Sequence, residues 1–190
     1  MMNWIPLQGS LIKNTPDGQS FKNIKNSITS EDTADIIVDA EMVSNSEEET
    51  FYIGQRIAGL LSSGSTVALE GTLGSGKTCL TKGIASGLGI SEIITSPTYT
   101  IISEYPLPIR LGKKKPSGSP ALYHIDVYRL NNEEDFDQIG GSEIINSGGI
   151  AVIEWSERIQ KSLPENTITV TIEISGPSSR LIKIKDHRPI

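Results

Sequence analysis

Apolar and polar positions follow two rhythms along the chain, and their order predicts alternating strands and helices. Residues 36–43 form a short β-prone run, the first strand expected. Ser46 then stands where a helix cap belongs, and Glu49 three residues on completes a capping box. Ile53, Ile57, Leu60 and Leu61 follow at helical spacing, predicting one apolar face that ends at Ser62-Ser63-Gly64-Ser65. Residues 66–70 predict a strand. Leu80, Ile84 and Leu88 recur every fourth residue, and Gly89 closes that helix. Residues 99–105 read as extended, 122–128 as a strand and 133–139 as a short acidic helix. Gly149-Ile150-Ala151-Val152-Ile153-Glu154 is a continuous apolar run ending in an acid, the profile of a buried parallel strand. Residues 167–174 and 180–184 alternate around Gly176-Pro177 and predict a terminal hairpin.

Two stretches lack a period. Residues 1–35, rich in Asn, Ser, Thr, Lys and Gly, read as a mobile extension before a domain spanning 36–190. Lys113-Lys114-Lys115 sits among Pro, Gly and Ser in an expected exposed loop.

Composition narrows the setting. With 36% hydrophobic residues and a mean hydropathy of -0.17, the chain is ordinary for a soluble domain. No apolar run reaches the ~20 residues a membrane span requires. Its start shows no signal-peptide pattern, and Cys79 has no internal disulfide partner, so a reducing cytoplasm is expected. The net charge of -6 argues against broad contact with DNA or RNA backbones. Any RNA is expected to be reached through a partner or through one local patch.

The candidate chemistry centres on Gly71-Thr72-Leu73-Gly74-Ser75-Gly76-Lys77-Thr78, a P-loop pattern between a predicted strand and a predicted helix. Glycines at 71, 74 and 76 let the backbone approach phosphates closely, with N–H groups and a helix N-terminus turned toward them. Lys77 has the reach for the β- and γ-phosphates, and the Thr78 hydroxyl suits Mg²⁺. ATP and Mg²⁺ are therefore the expected ligands. A second magnesium ligand is expected at the end of a neighbouring strand. Glu154 and Asp126 compete, with Glu154 favoured for metal and Asp126 for orienting water. The alternative for either acid is pairing with Arg129 or Arg158. Together these features predict an α/β, P-loop NTPase-like three-layer fold, its sheet mixed but mainly parallel.

Four segments in order carry a family resemblance: residues 71–78, Ser96-Pro97-Thr98-Tyr99-Thr100-Ile101, His124-Ile125-Asp126-Val127-Tyr128-Arg129-Leu130 and Glu154-Trp155. The combination resembles the TsaE (YjeE) family of bacterial ATPases in tRNA threonylcarbamoyladenosine synthesis, over roughly residues 36–175. The resemblance implies weak ATP hydrolysis by the isolated subunit. It also implies action with TsaD and TsaB in attaching threonylcarbamoyl to adenosine 37 of tRNA, with tRNA met indirectly through that complex. It implies that Gly74, Ser75, Gly76, Lys77, Thr78 and Cys79 hold nucleotide, with Glu47 as an N-terminal contact. Thr78 and Glu154 would hold magnesium. Residues 96–98 resemble a first switch loop, and Asp126 belongs to a second.

Several residues have plainer readings. His124 is expected to be a satisfied strand histidine, and Tyr99 and Tyr128 packing residues. Trp155 faces either the nucleotide or a partner, or else covers the core. A helix dipole at Cys79 would lower its pKa, although an inert thiol is expected there. The rival function is a P-loop small-molecule kinase, disfavoured because arginine is scarce and no Arg-rich lid follows the loop. A GTP switch lacks its Asn-Lys-x-Asp segment. A non-catalytic ATP-binding module remains a further alternative.

Overall fold

The computed structural model describes residues 38–108 and 121–188. The expected N-terminal extension and the Lys113-Lys114-Lys115 loop lie outside the described residues. Strand β1 (Val38–Ser44) leads to helix α1 (Glu47–Ala58), then β2 (Thr66–Glu70) and α2 (Lys77–Gly87). β3 (Ile102–Pro106), β4 (Ala121–Asp126), α3 (Glu133–Gln138), α4 (Gly141–Ile145) and β5 (Ile150–Glu154) follow. The 3₁₀ turns Ser156–Arg158 and Gln160–Ser162 precede the hairpin of β6 (Ile168–Ile174) and β7 (Arg180–Asp186).

The seven strands form one sheet in the order β1-β7-β6-β2-β5-β4-β3. The four central strands, β6, β2, β5 and β4, run parallel. Antiparallel strands extend both edges.

Alternation along each strand sends side chains to opposite faces. Leu69, Leu122, Val152 and Val170 join Ile53, Ile57, Leu80 and Ile84 in a core on the α1–α2 side. Ile125, Ala151 and Ile153 join Phe136, Ile145 and Ile159 on the other face. These are the three layers. β5 is buried at every position, as its unbroken apolar run requires.

Helices α1 and α2 approach closely because glycines face each other across their contact. A Cβ at Gly54 would run into the main-chain oxygen of Leu80, and one at Gly83 into that of Phe51.

The structure corrects several local expectations. Ser46 caps α1 through Glu49 N at 3.1 Å, but the Glu49 carboxylate returns to Asn45 N, at 2.7 Å, not to Ser46. α1 ends at Ala58, so Leu60 falls outside the helix and is half exposed. The strand in this region is Ile102–Pro106, so residues 99–101 of the expected 99–105 extension fall outside it. Before it, Ile101 turns through φ 66°, a left-handed conformation rare for a β-branched residue. The five-residue α4 was not foreseen; its Gly140 cap, at φ 77°, reads in sequence only as a turn. Gly89, at φ 86°, does follow α2 as expected.

Candidate functional site

The same alternation that builds the core aims the polar groups. His124 shares a face with Leu122, and Glu154 with Val152, so both point to the α1–α2 side, where the glycine loop enters α2. Asp126 lies opposite Glu154 in the β4–β5 ladder, at the carboxyl ends of both strands. Ligands of open α/β sheets bind in the crevice outside those ends.

The loop itself depends on glycine. Gly71, Gly74 and Gly76 have φ of 142°, 76° and 110°. At Gly71 a side chain would also press against the Ile172 carbonyl and the Ser75 hydroxyl. Ser75 Oγ is buried and has no hydrogen-bond partner among the described residues. Lys77 is 4% exposed. Its Nζ donates to Gly71 O at 2.6 Å and Thr72 O at 3.0 Å, and lies 3.6 Å from the centre of the Trp155 ring. Burial lowers its pKa below the ordinary 10.5, opposed by the nearby charges of Glu154, Glu157 and Asp126. Trp155 reaches this position through a φ of 64°, a costly conformation for a bulky residue.

A second chain of contacts leaves the start of α2. Thr78 Oγ1 donates to Glu154 Oε2 at 3.1 Å. Glu154 Oε1 meets His124 Nε2 at 2.7 Å, and both side chains are almost fully buried. Each Glu154 oxygen therefore has its own partner. His124 Nδ1 has none, so the expectation of a satisfied histidine holds for one ring nitrogen only.

Asp126 forms a separate cluster. Its Oδ2 accepts from Ser96 Oγ at 3.1 Å and Thr98 Oγ1 at 2.5 Å, while Oδ1 accepts from Tyr128 N at 3.0 Å. Neither acid pairs with Arg129 or Arg158. The Arg129 guanidinium instead stacks over Tyr99 at 4.4 Å, and Arg158 donates to Leu130 O. Tyr99 is 84% exposed and is not the packing residue expected, whereas Tyr128, 43% exposed, packs its ring against Trp155 with centroids 4.8 Å apart.

Cys79 corrects a further expectation. Its pKa is raised, first by burial and then by the Glu47 charge, rather than lowered by the helix. Its Sγ donates to the Glu47 carbonyl at 3.1 Å, while the Glu47 side chain itself is exposed. An inert thiol fits this setting.

Sequence reasoning missed Arg180. From the start of β7 its Nε donates to Ser75 O at 2.9 Å and its Nη2 to Gly74 O at 3.2 Å. No local pattern announces a residue more than a hundred positions from the loop it grips.

Chemically, the site offers an amide-rich loop, a buried cation, a hydroxyl beside a carboxylate, and a second carboxylate on a hydroxyl-bearing loop. A strand running into such a loop at the head of a helix, within a sheet layered on both faces, defines an α/β protein of the P-loop NTPase-like class. The model of the family described as Threonylcarbamoyl adenosine biosynthesis protein TsaE matches residues 44–182. The chain belongs to the TsaE family. It is 43% identical over 142 residues to the tRNA threonylcarbamoyladenosine biosynthesis protein TsaE of Treponema pallidum, covering 75% of this chain and 97% of that one. The Bacillus subtilis protein of the same name is 38% identical over 135 residues, covering 71% and 78%. The crystal structure of Bacillus subtilis YdiB superposes with a TM-score of 0.61 at 32% identity, over 80% of this chain and 88% of that one. Among the described residues, no helix is long and apolar enough to cross a membrane.

Proposed function

We propose that this chain is the ATP-binding, ATP-hydrolysing subunit of tRNA adenosine 37 threonylcarbamoylation, working in the cytoplasm with TsaD and TsaB. The observation that carries the reading is the meeting of Thr78 and Glu154, 3.1 Å apart, at the entrance to α2. A hydroxyl and a carboxylate are hard oxygen donors suited to Mg²⁺, which completes its shell with waters and phosphate oxygens. Among the described residues no cluster of three His, Cys, Asp or Glu side chains is grouped to hold a metal. The unpartnered Ser75 hydroxyl and the glycine cradle fit a phosphate chain equally well.

Gly74, Ser75, Gly76, Lys77, Thr78 and Cys79 surround the phosphates in this reading, with Glu47 at the rim. Lys77 leaves the Gly71 and Thr72 carbonyls for the β- and γ-phosphates, where its charge is better used than on neutral acceptors. Mg²⁺, when bound, supplies positive charge across the phosphate oxygens. Asp126 orients the attacking water once Ser96 and Thr98 release its Oδ2. Residues 96–98 thereby register whether a γ-phosphate is present, an order–disorder switch of a known kind. tRNA is met through the assembled complex, in keeping with the net charge of -6.

The kinase alternative gains nothing from Arg180, the arginine that reaches the loop from β7, because its guanidinium is spent on main-chain carbonyls. The test is phosphate release from ATP by the chain alone and with TsaD and TsaB, alongside modified adenosine in tRNA. ADP and phosphate, with modification dependent on the chain, are expected. Modification that proceeds equally well without the chain, or phosphate passed to a small acceptor, overturns the reading.

A further inference from the structure

Arg180 lies at the first position of β7, on the far side of the glycine loop from the strand ends that carry Asp126 and Glu154. Its guanidinium makes four hydrogen bonds. Two go to its own hairpin turn, Nη1 to Ser179 O at 2.8 Å and to Gly176 O at 3.4 Å. The other two cross to the glycine loop, at Ser75 O and Gly74 O. Among the described residues all its acceptors are main-chain carbonyls, so its charge is committed to shaping backbone.

The geometry points to a positioning role, and we propose that Arg180 pre-forms the phosphate cradle by holding two of its peptide units carbonyl-outward. A trans peptide is planar, with N–H and C=O directed to opposite sides. Holding Gly74 O and Ser75 O toward the hairpin therefore turns the N–H groups of Ser75 and Gly76 away from it. The Ser75 N–H closes the loop's own turn on Thr72 O at 3.1 Å. The Gly76 N–H, next to the helix start, is left directed to the interior of the loop.

Without such a clamp these peptides turn with little resistance, because Gly74 and Gly76 flank them and glycine imposes few limits on φ. A Cβ at Gly74 would meet no atom within 4 Å, so packing does not fix the loop there. Arginine suits the task better than lysine, since its planar fork reaches two neighbouring acceptors at once. The clamp also ties the loop to the β6–β7 hairpin, which comes late in the chain.

This inference rests on the nucleotide-binding reading of the loop, and the experiment separates the two. Nucleotide affinity is measured by calorimetry with ATP and with ADP, each with Mg²⁺ and with chelator, on the full chain. Variants are Arg180→Ala, Arg180→Lys and Lys77→Ala. Arg180→Ala should weaken all four affinities by about tenfold, because ground-state cradle geometry is lost with or without metal. Arg180→Lys, with its charge but no fork, should recover less than half of that loss in free energy. In nucleotide-free protein, the amide NMR signals of Ser75 and Gly76 should shift and broaden in both variants, with those of β2 unchanged.

Wild-type affinity in Arg180→Ala, or full recovery in Arg180→Lys, overturns the clamp. So does an affinity lost only in the presence of Mg²⁺. If Arg180→Ala fails to fold, the lysine variant decides alone by the same criteria. If wild-type protein binds no nucleotide, the functional reading fails first. If wild type binds, Lys77→Ala does not, and both Arg180 variants match wild type, the inference alone fails.

Discussion

The two halves of the sheet handle charge in opposite ways. Around β2, β5 and β4, Lys77, His124, Asp126 and Glu154 are all 4% exposed or less, and Trp155 and Ile101 sit at positive φ beside them. Around β6, β7 and β1, Glu41, Glu173 and Lys185 are exposed, while Arg180, Asp186 and the nearby Arg188 are half-buried. Lys183 reaches Glu173 at 2.8 Å and Glu41 at 4.0 Å, with all three substantially exposed. Exposed pairs of this kind contribute ~0–1 kcal/mol. Buried charge is expensive unless fully partnered, so it persists where it has work to do. Apart from Arg180, which reaches the glycine loop, the β6–β7–β1 side is scaffold; the β2–β5–β4 side concentrates buried charge and backbone strain.

That contrast can be broken by substitution, and the largest effect should come from Lys77. Lys77→Ala should weaken nucleotide binding roughly 100-fold or more, read by calorimetry, since a charge-assisted contact to phosphate is lost. The unliganded fold should survive, because removing a buried ammonium relieves a desolvation cost. The sign follows from its lowered pKa: the folded state disfavours the charged form, so wild-type stability should rise with pH toward 10.5, and Lys77→Ala should flatten that rise. A melting temperature that falls steeply in the variant would make Lys77 a structural residue.

Asp126→Ala should leave nucleotide affinity within a fewfold of wild type while slowing hydrolysis about 10²-fold or more. Hydrogen exchange at residues 96–98 should rise at the same time, because both hydroxyl anchors are lost. Loss of binding in a folded variant would move Asp126 out of the chemistry.

Glu154→Ala should weaken binding about tenfold with Mg²⁺ and little in chelator. His124→Leu should mimic part of that loss, whereas His124→Gln, which keeps a donor near the Nε2 position, should restore it. Equal losses with and without Mg²⁺ would remove the metal role.

The smallest effects belong to the antiparallel half. Lys183→Met should leave the denaturation midpoint and nucleotide binding indistinguishable from wild type, because the exposed pair is screened by solvent. Asp186→Asn should cost somewhat more, about 0.5–1 kcal/mol at neutral pH, because Arg188 holds Asp186 Oδ2 at 2.6 Å. Arg188 depresses the Asp186 pKa below 3.8, so this stability is present above 3.8 and lost as pH falls through the folded value. Chemical denaturation of variant and wild type should converge there.

The parallel half was legible in sequence where the signal is local. Residues 71–78 carry their geometry in their glycines, and an acid ending an apolar run located Glu154 without a structure. Asp126 reads in sequence only as an acid within a second buried-looking strand; that it ends that strand opposite Glu154 appears in the pairing. The long-range partners were not legible. Nothing near Arg180 says that it meets Ser75, and nothing near Trp155 says that its ring covers Lys77. His124 reads as one polar residue in a buried strand, and its register opposite Val152, beside Glu154, emerges only from pairing. Tyr99 misleads because aromatic residues suit strands, yet the chain turns there so that Ser96 and Thr98 can reach Asp126. α4 was hidden by its glycine cap.

The glycine contact between α1 and α2 has a mechanical consequence. With Gly54 against Leu80 and Gly83 against Phe51, the two backbones lie too close for any side chain to stand between them. Any tilt imposed on the first turn of α2 is therefore carried bodily to Glu47 and the opening turn of α1, some thirty residues earlier in sequence. The pair behaves as a stiff lever, and spin labels on the outer faces of the two helices should hold one separation through the whole nucleotide cycle.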